Sequence, residues 1–185
     1  MTEPAKGRRL FISKLSYALI GTTILSSQLS YAFITNTDAP FEGYEPCLDD
    51  TTDLRSFNSP DKTLNIIGTV YGKDGLSLKP NARIEVWHLS PGSSEYDHRG
   101  AFNSSANGAY AFRTELPNRM KGKMPRIFFK ISHEGSVVYT ELILNTHKAY
   151  ISHEHWENHK SLKERLFPID KNNGLEREIQ FNVTV

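Results

Sequence analysis

The sequence predicts an all-β protein, an antiparallel β-sandwich, on three observations. Short runs alternate apolar and polar residues with a period of 2, as strands with two unlike faces do. Turn residues punctuate those runs at regular intervals, among them Lys73-Asp74-Gly75 and Asn107-Gly108, which suits a sandwich of short strands. Ten Phe, eight Tyr and two Trp in 185 residues supply the aromatic bulk of a β-rich core, and the length is enough for one domain but short of two.

In chain order, residues 1–32 read as a leader. Arg8-Arg9 followed by Leu10-Phe11 and Lys14 forms a twin-arginine export word, and Ser30-Tyr31-Ala32 offers small residues for cleavage. The intervening run is too short and too polar for a membrane span, which needs roughly 20 apolar residues. The expected destination is periplasmic or extracellular; the bland alternative is an uncleaved amphipathic helix. Residues 33–62 are polar and form an arm laid across the domain. The sandwich proper spans 63–185. Its first strand begins at Leu64, and Ile84, Val86 and His88 alternate with Glu85, Trp87 and Leu89 in the next. A turn-rich loop from Ser90 to Gly100 follows, then strands opening at Tyr110, Arg126 and Val137. His153 to Leu166 suggests a short helix plus loop, and Ile179, Phe181, Val183 and Val185 alternate in the final strand.

Removing the leader leaves 18 basic and 20 acidic residues, with no basic tract for nucleic acid and no polybasic membrane patch. The single cysteine, Cys47, rules out an intramolecular disulfide framework and reads as a small semi-buried residue. His153, His155 and His159 form the one histidine cluster. On a helix His155 and His159 share a face at a spacing that can bind a divalent metal, but a third anionic ligand is missing, so exposed histidines are the preferred reading. No phosphate loop, nucleophile elbow or Cys-His pair is present.

One stretch carries a resemblance. Ala82-Arg83-Ile84-Glu85-Val86-Trp87-His88, Tyr96, Arg99-Gly100, Asn107-Gly108-Ala109-Tyr110-Ala111-Phe112-Arg113-Thr114, Pro117 and Arg126-Ile127-Phe128-Phe129-Lys130-Ile131 are its words. From about Leu64 to Leu144 the chain resembles the intradiol ring-cleavage dioxygenases, the catechol and protocatechuate group, and especially their exported single-domain members. The resemblance implies an intradiol-dioxygenase-like sandwich and a non-haem ferric ion held by two tyrosinates and two histidines.

The departures from that pattern decide the functional expectation. The family's first tyrosine falls on Tyr96, the second on the word Pro117-Asn118-Arg119-Met120, and the His-x-His pair on Arg126 and Phe128. Three of the four ligands are replaced by groups that offer ferric iron no suitable lone pair. Lys123 falls where the family places a substrate-orienting arginine. Strand parity puts Arg126, Phe128 and Lys130 on one face, opposite Ile127, Phe129 and Ile131. Phe128 is expected to fill the vacated space, and Arg126 to meet Glu95, Tyr96 or Asp97 in the facing loop. The expected protein has no cofactor and binds a small aromatic or anionic ligand, or uses it non-oxidatively. Tyr96, Met120, Lys123, Arg126 and Phe128 would line the site, with His88 or His98 as acid–base group. One alternative is a dioxygenase with non-haem Fe(III) on a rearranged set drawn from Tyr96, His98, His133 or the 153–159 cluster. Another is a transthyretin-like module acting through protein contacts. Filled structural remnants are the bland reading for the pocket, and a satisfied strand-end residue for His88.

Overall fold

The computed structural model describes residues 40–46, 49–56, 63–172, 174 and 176–185; the leader and Cys47 lie outside them. Ten strands form two sheets: β1 (Thr63–Tyr71), β2 (Arg83–His88), β3 (His98–Asn103), β4 (Ala109–Thr114), β5 (Arg126–His133), β6 (Ser136–Leu144), β7 (Ala149–Ile151), β8 (Ile169–Asn172), β9 (Glu176–Gln180) and β10 (Val183–Thr184). Between β7 and β8 lie a helix, α1 (His153–His159), and a 3-10 segment, Lys160–Leu166. The expected all-β sandwich is therefore present.

The second sheet, β3-β2-β5-β6-β7, is antiparallel throughout. The first departs from the antiparallel expectation. β1 pairs antiparallel with β4 on one edge and parallel with β9 and β10 on the other, and β8 closes the far edge. The last run is thus two strands rather than one. At the break, Asn182 Oδ1 accepts from the Thr69 amide at 3.1 Å, and Asn182 Nδ2 donates to the Arg165 carbonyl at 3.0 Å. Tyr110 Oη donates to the Phe181 carbonyl at 2.5 Å, so the interrupted ladder leaves its polar groups satisfied. Gly68 is required here, because a Cβ would strike that carbonyl and the Tyr110 ring.

β1 shows why parity reads so clearly: its residues alternate between half-buried and buried along all nine positions. Leu64, Ile66 and Val70 meet Ile84, Val86, Ile127, Phe129, Ile131, Leu142 and Leu144 of the other sheet, with Phe112, Ile179 and Phe181 between them. This is the core of the sandwich. β3 lies within what reads as loop in the sequence, and Gly108 takes the expected left-handed turn conformation, φ +73°, between β3 and β4.

Two stretches of the arm run over the sandwich in different ways. Residues 51–54 are stitched in by backbone hydrogen bonds: Thr51 N to Ala101 O, Arg113 N to Thr52 O and Leu54 N to Arg113 O. Residues 40–46 make no backbone–backbone hydrogen bond to either sheet among the described residues. They are held through side chains.

Candidate functional site

The outer face of the second sheet is built by the residues that parity turns away from the core. Trp87 of β2 lies opposite Phe128 of β5, which lies opposite Glu141 of β6. One row along, Glu85, Lys130 and Tyr139 stand side by side. Arg126 takes the same face at the end of β5, as its parity requires. Trp87 and Phe128 are each only 2% exposed, because segment 40–46 lies across them. Phe41 stacks on Phe128 with centroids 4.8 Å apart, and Tyr44 packs on Trp87 at 5.0 Å and edge-on to Tyr139 at 6.1 Å. Trp87 Nε1 donates to the Glu42 carbonyl at 3.0 Å, and Arg99 Nη1 reaches Glu45 at 2.6 Å.

Tyr96, Met120 and Phe128 come together. Tyr96 Oη donates to Met120 Sδ at 3.5 Å, and its ring lies 6.3 Å from that of Phe128. Both Tyr96 and Met120 pack against the Trp87–Phe128 cluster. Burial raises the Tyr96 pKa and Glu42 adds to the rise, while Arg126 opposes it, so the phenol stays protonated near neutral pH. Arg126 shares the face but not the expected partner. Its Nη1 donates to Glu141 at 2.6 Å, and Nε lies 3.4 Å from the Met124 carbonyl; the neighbouring strand supplies an acid before the facing loop can. A cleft of about 450 Å³ remains at the mouth, lined by Tyr96, Met120, Asn118, Arg119, Lys121 and Lys123. Phe128 and Arg126 are not among the residues that line it.

His88 and His98 are placed elsewhere. They face each other across β2 and β3 on the inner side, with ring centroids 4.9 Å apart. His88 Nδ1 lies 2.8 Å from the Leu89 carbonyl and Nε2 2.6 Å from Thr114 Oγ1. Burial pushes its pKa down to about 4. His98 Nδ1 lies 2.9 Å from Ser90 Oγ, and Nε2 lies 2.7 Å from Glu115. The sheet itself separates both imidazoles from the Tyr96 cluster, so the structure does not bring them together with Tyr96, Met120 and Phe128. They form a satisfied buried network.

The other candidate donors also stay apart. His133 lies at the β5–β6 hairpin, 3.5 Å from Glu134, at the opposite end of β5 from Arg126. His155 and His159 share one face of α1, as their spacing requires, but they are buried rather than exposed. Among the described residues no three His, Cys, Asp or Glu side chains group as a metal site.

Sequence reasoning missed Phe41 and Tyr44 as parts of this face. The available signal was the pair of aromatic residues, three apart, in an otherwise polar arm.

No protein-family model matches the chain, and no curated protein matches it in sequence. Among solved structures it is similar to the dioxygenase domain of a dioxygenase–carbohydrate-binding protein fusion from the cellulolytic bacterium Streptomyces sp. SirexAA-E. That match has 20% identity and a TM-score of 0.58, and covers 78% of this chain and 94% of that one. An intradiol ring-cleavage dioxygenase from Tetranychus urticae matches at 14% identity and TM-score 0.54, covering 77% and 90%. A chlorocatechol 1,2-dioxygenase from Pseudomonas putida matches at 19% and 0.50, covering 71% and 63%. Taken with the two sheets and their connections, these matches show that the chain has the fold of the intradiol ring-cleavage dioxygenases.

Proposed function

We propose that this chain is an exported intradiol-dioxygenase-like protein without the ferric site. It acts as a binding protein for an aromatic or anionic ligand, or as a non-oxidative enzyme on one. A single observation carries the reading. The Tyr96 hydroxyl meets the Met120 thioether and its ring lies 6.3 Å from that of Phe128, where the family pattern calls for metal donors. Ferric iron favours anionic oxygen and imidazole, and this donor set offers one phenol, a soft sulfur and a guanidinium already paired with Glu141. The residues present do not fit the ion. What remains is a cleft lined by three cationic side chains, Arg119, Lys121 and Lys123, and one carboxylate, Glu42, beside a neutral phenol; the excess of positive charge suits an anionic ring.

Benzoate titration by calorimetry tests the binding half. Wild type is expected to bind, and Lys123→Ala to weaken binding by roughly tenfold, the loss of one charge-assisted contact. Metal analysis tests the other half. Protein purified with added iron is expected to be colourless and not to cleave catechol or protocatechuate. The set Met120→Tyr, Arg126→His and Phe128→His is expected to raise iron binding. Stoichiometric iron with a visible tyrosinate band in wild type would overturn the reading.

A further inference from the structure

Tyr44 belongs to segment 40–46, yet its side chain sits in a setting built for a phenol. The ring lies between Trp87 and Tyr139, and the Lys130 ammonium stands 4.8 Å from its centroid. The hydroxyl uses both of its capacities. It donates to Glu85 Oε2 at 3.0 Å and accepts from Lys130 Nζ at 2.5 Å. Lys130 and Glu85 close the triangle with an ion pair at 2.8 Å. Tyr44 is only 6% exposed. Burial raises its pKa, with Lys130 and Glu85 pulling in opposite directions, so the group held there is the neutral phenol. Burial also works against the Lys130 ammonium, but hydrogen bonds to Glu85 and Tyr44 outweigh it and raise its pKa.

We infer that Trp87, Tyr139, Glu85 and Lys130 form a binding site for a free phenol, and that Tyr44 is its built-in competitor, carried on a segment that can leave. This cage is a separate site from the cleft beside Lys123, with its own ligand class and its own regulation. Three features support separability. Segment 40–46 has no backbone ladder to the sheets, whereas 51–54 has one and stays anchored. Its anchors are the Phe41–Phe128 stack, the Trp87–Glu42 hydrogen bond and the Arg99–Glu45 pair, and Glu45 is largely exposed. Gly43 adopts φ +72° directly against the Tyr96 ring, so the segment seats only while that position has no side chain. A phenol entering the cage releases Tyr44, and with it the cover over Trp87 and Phe128. Phenol binding and exposure of the outer face are then one event.

The probe is p-cresol, titrated into the full chain and followed by limited proteolysis. Saturating p-cresol is expected to speed cleavage within residues 41–46, which side chains alone hold down, while 51–54 stay protected. Gly43→Val cannot seat the segment and leaves the cage residues intact. Removing a competitor present most of the time is expected to tighten p-cresol by roughly tenfold or more. Lys130→Met in the Gly43→Val background is expected to lose that gain. Toluene, lacking the hydroxyl, is expected to bind at least about tenfold more weakly than p-cresol, since it leaves Lys130 and Glu85 without the bonds they make to Tyr44. Phe41→Ala loosens the same segment without strain and is expected to change affinity in the same direction. Equal binding of toluene, no p-cresol binding by Gly43→Val, or saturation of wild type with cleavage within 41–46 unchanged would each overturn the inference. Benzoate binding lost with Lys123→Ala reports on the cleft alone, so failure of one site is distinguishable from failure of the other.

Discussion

Acid should destabilise this protein through two histidines that the helix buries. His155 and His159 are both fully buried, with ring centroids 4.3 Å apart. His155 Nδ1 lies 2.8 Å from Thr140 Oγ1. His159 Nδ1 accepts from the Thr184 amide at 3.0 Å, which places its proton on Nε2. Neither Nε2 has a hydrogen-bond partner among the described residues. Burial therefore holds His155 at about 3 and His159 at about 4, against 6.5 for a free imidazole; proximity to His159 lowers His155 further, and the Leu166 carbonyl partly opposes it. A folded pKa below the unfolded one means that the unfolded chain takes up protons first. This stabilisation is complete above pH 6.5 and is lost as the pH falls through the window down to 3–4. Each group contributes a slope of about 1.4 kcal/mol per pH unit, so the pair loses roughly 4 kcal/mol by pH 5, a large part of a typical domain's 5–15 kcal/mol. The double variant His155→Phe, Thr140→Val removes one titrating ring and the hydroxyl it would strand. The new ring keeps an aromatic neighbour, because His155 already stacks on Phe181 at 4.5 Å. Urea unfolding between pH 7.5 and 5 is expected to show a shallower slope than wild type, the difference reaching about 1.4 kcal/mol per unit only below about pH 6 and amounting to about 2 kcal/mol over the whole range. An unchanged slope would refute the reasoning.

Two further outcomes follow from other parts of the chain. Glu115 is 1% exposed and accepts from the Ser56 amide at 3.2 Å while facing His98 Nε2 at 2.7 Å. Glu115→Ala removes the acceptor for both groups and is expected to cost about 1–3 kcal/mol for each, measured by denaturant unfolding, with Glu115→Gln costing less. For the leader, Arg8→Lys with Arg9→Lys is expected to trap an uncleaved precursor in the cytoplasm, read by fractionation and blotting; normal export of the double variant would remove the twin-arginine assignment.

Parity was the most informative signal in the sequence. It sorted Ile84, Val86 and His88 from Glu85 and Trp87, and Ile127, Phe129 and Ile131 from Arg126, Phe128 and Lys130, as the two faces of the second sheet. It also places His88 with the core residues, and its position at the strand end does not bring the ring to the outer face. β3 escaped because His98-Arg99-Gly100 reads as loop. Its Gly100 lacks a side chain because the Thr51 carbonyl approaches there, a contact between segments far apart in sequence. The parallel pairing of β1 with β9 and β10 joins segments more than a hundred residues apart, and no local pattern encodes it. Arg126 found Glu141 rather than the facing loop for the same reason: register, not composition, chose its partner.

The same separation of faces keeps the outer residues of β5 independent of the fold. Ile127, Phe129 and Ile131 hold β5 in the sandwich core, and none of them is a position that the family pattern assigns to metal. Arg126 and Phe128 occupy the outer positions and take no part in those core contacts. Their cost falls on the outer face, where an aromatic surface would otherwise be open to water. Phe41 and Tyr44 meet it by stacking on Phe128 and Trp87. Segment 40–46 then has two consequences from one set of contacts: it buries the face, and it sets the affinity of whatever competes with Tyr44 for Lys130 and Glu85.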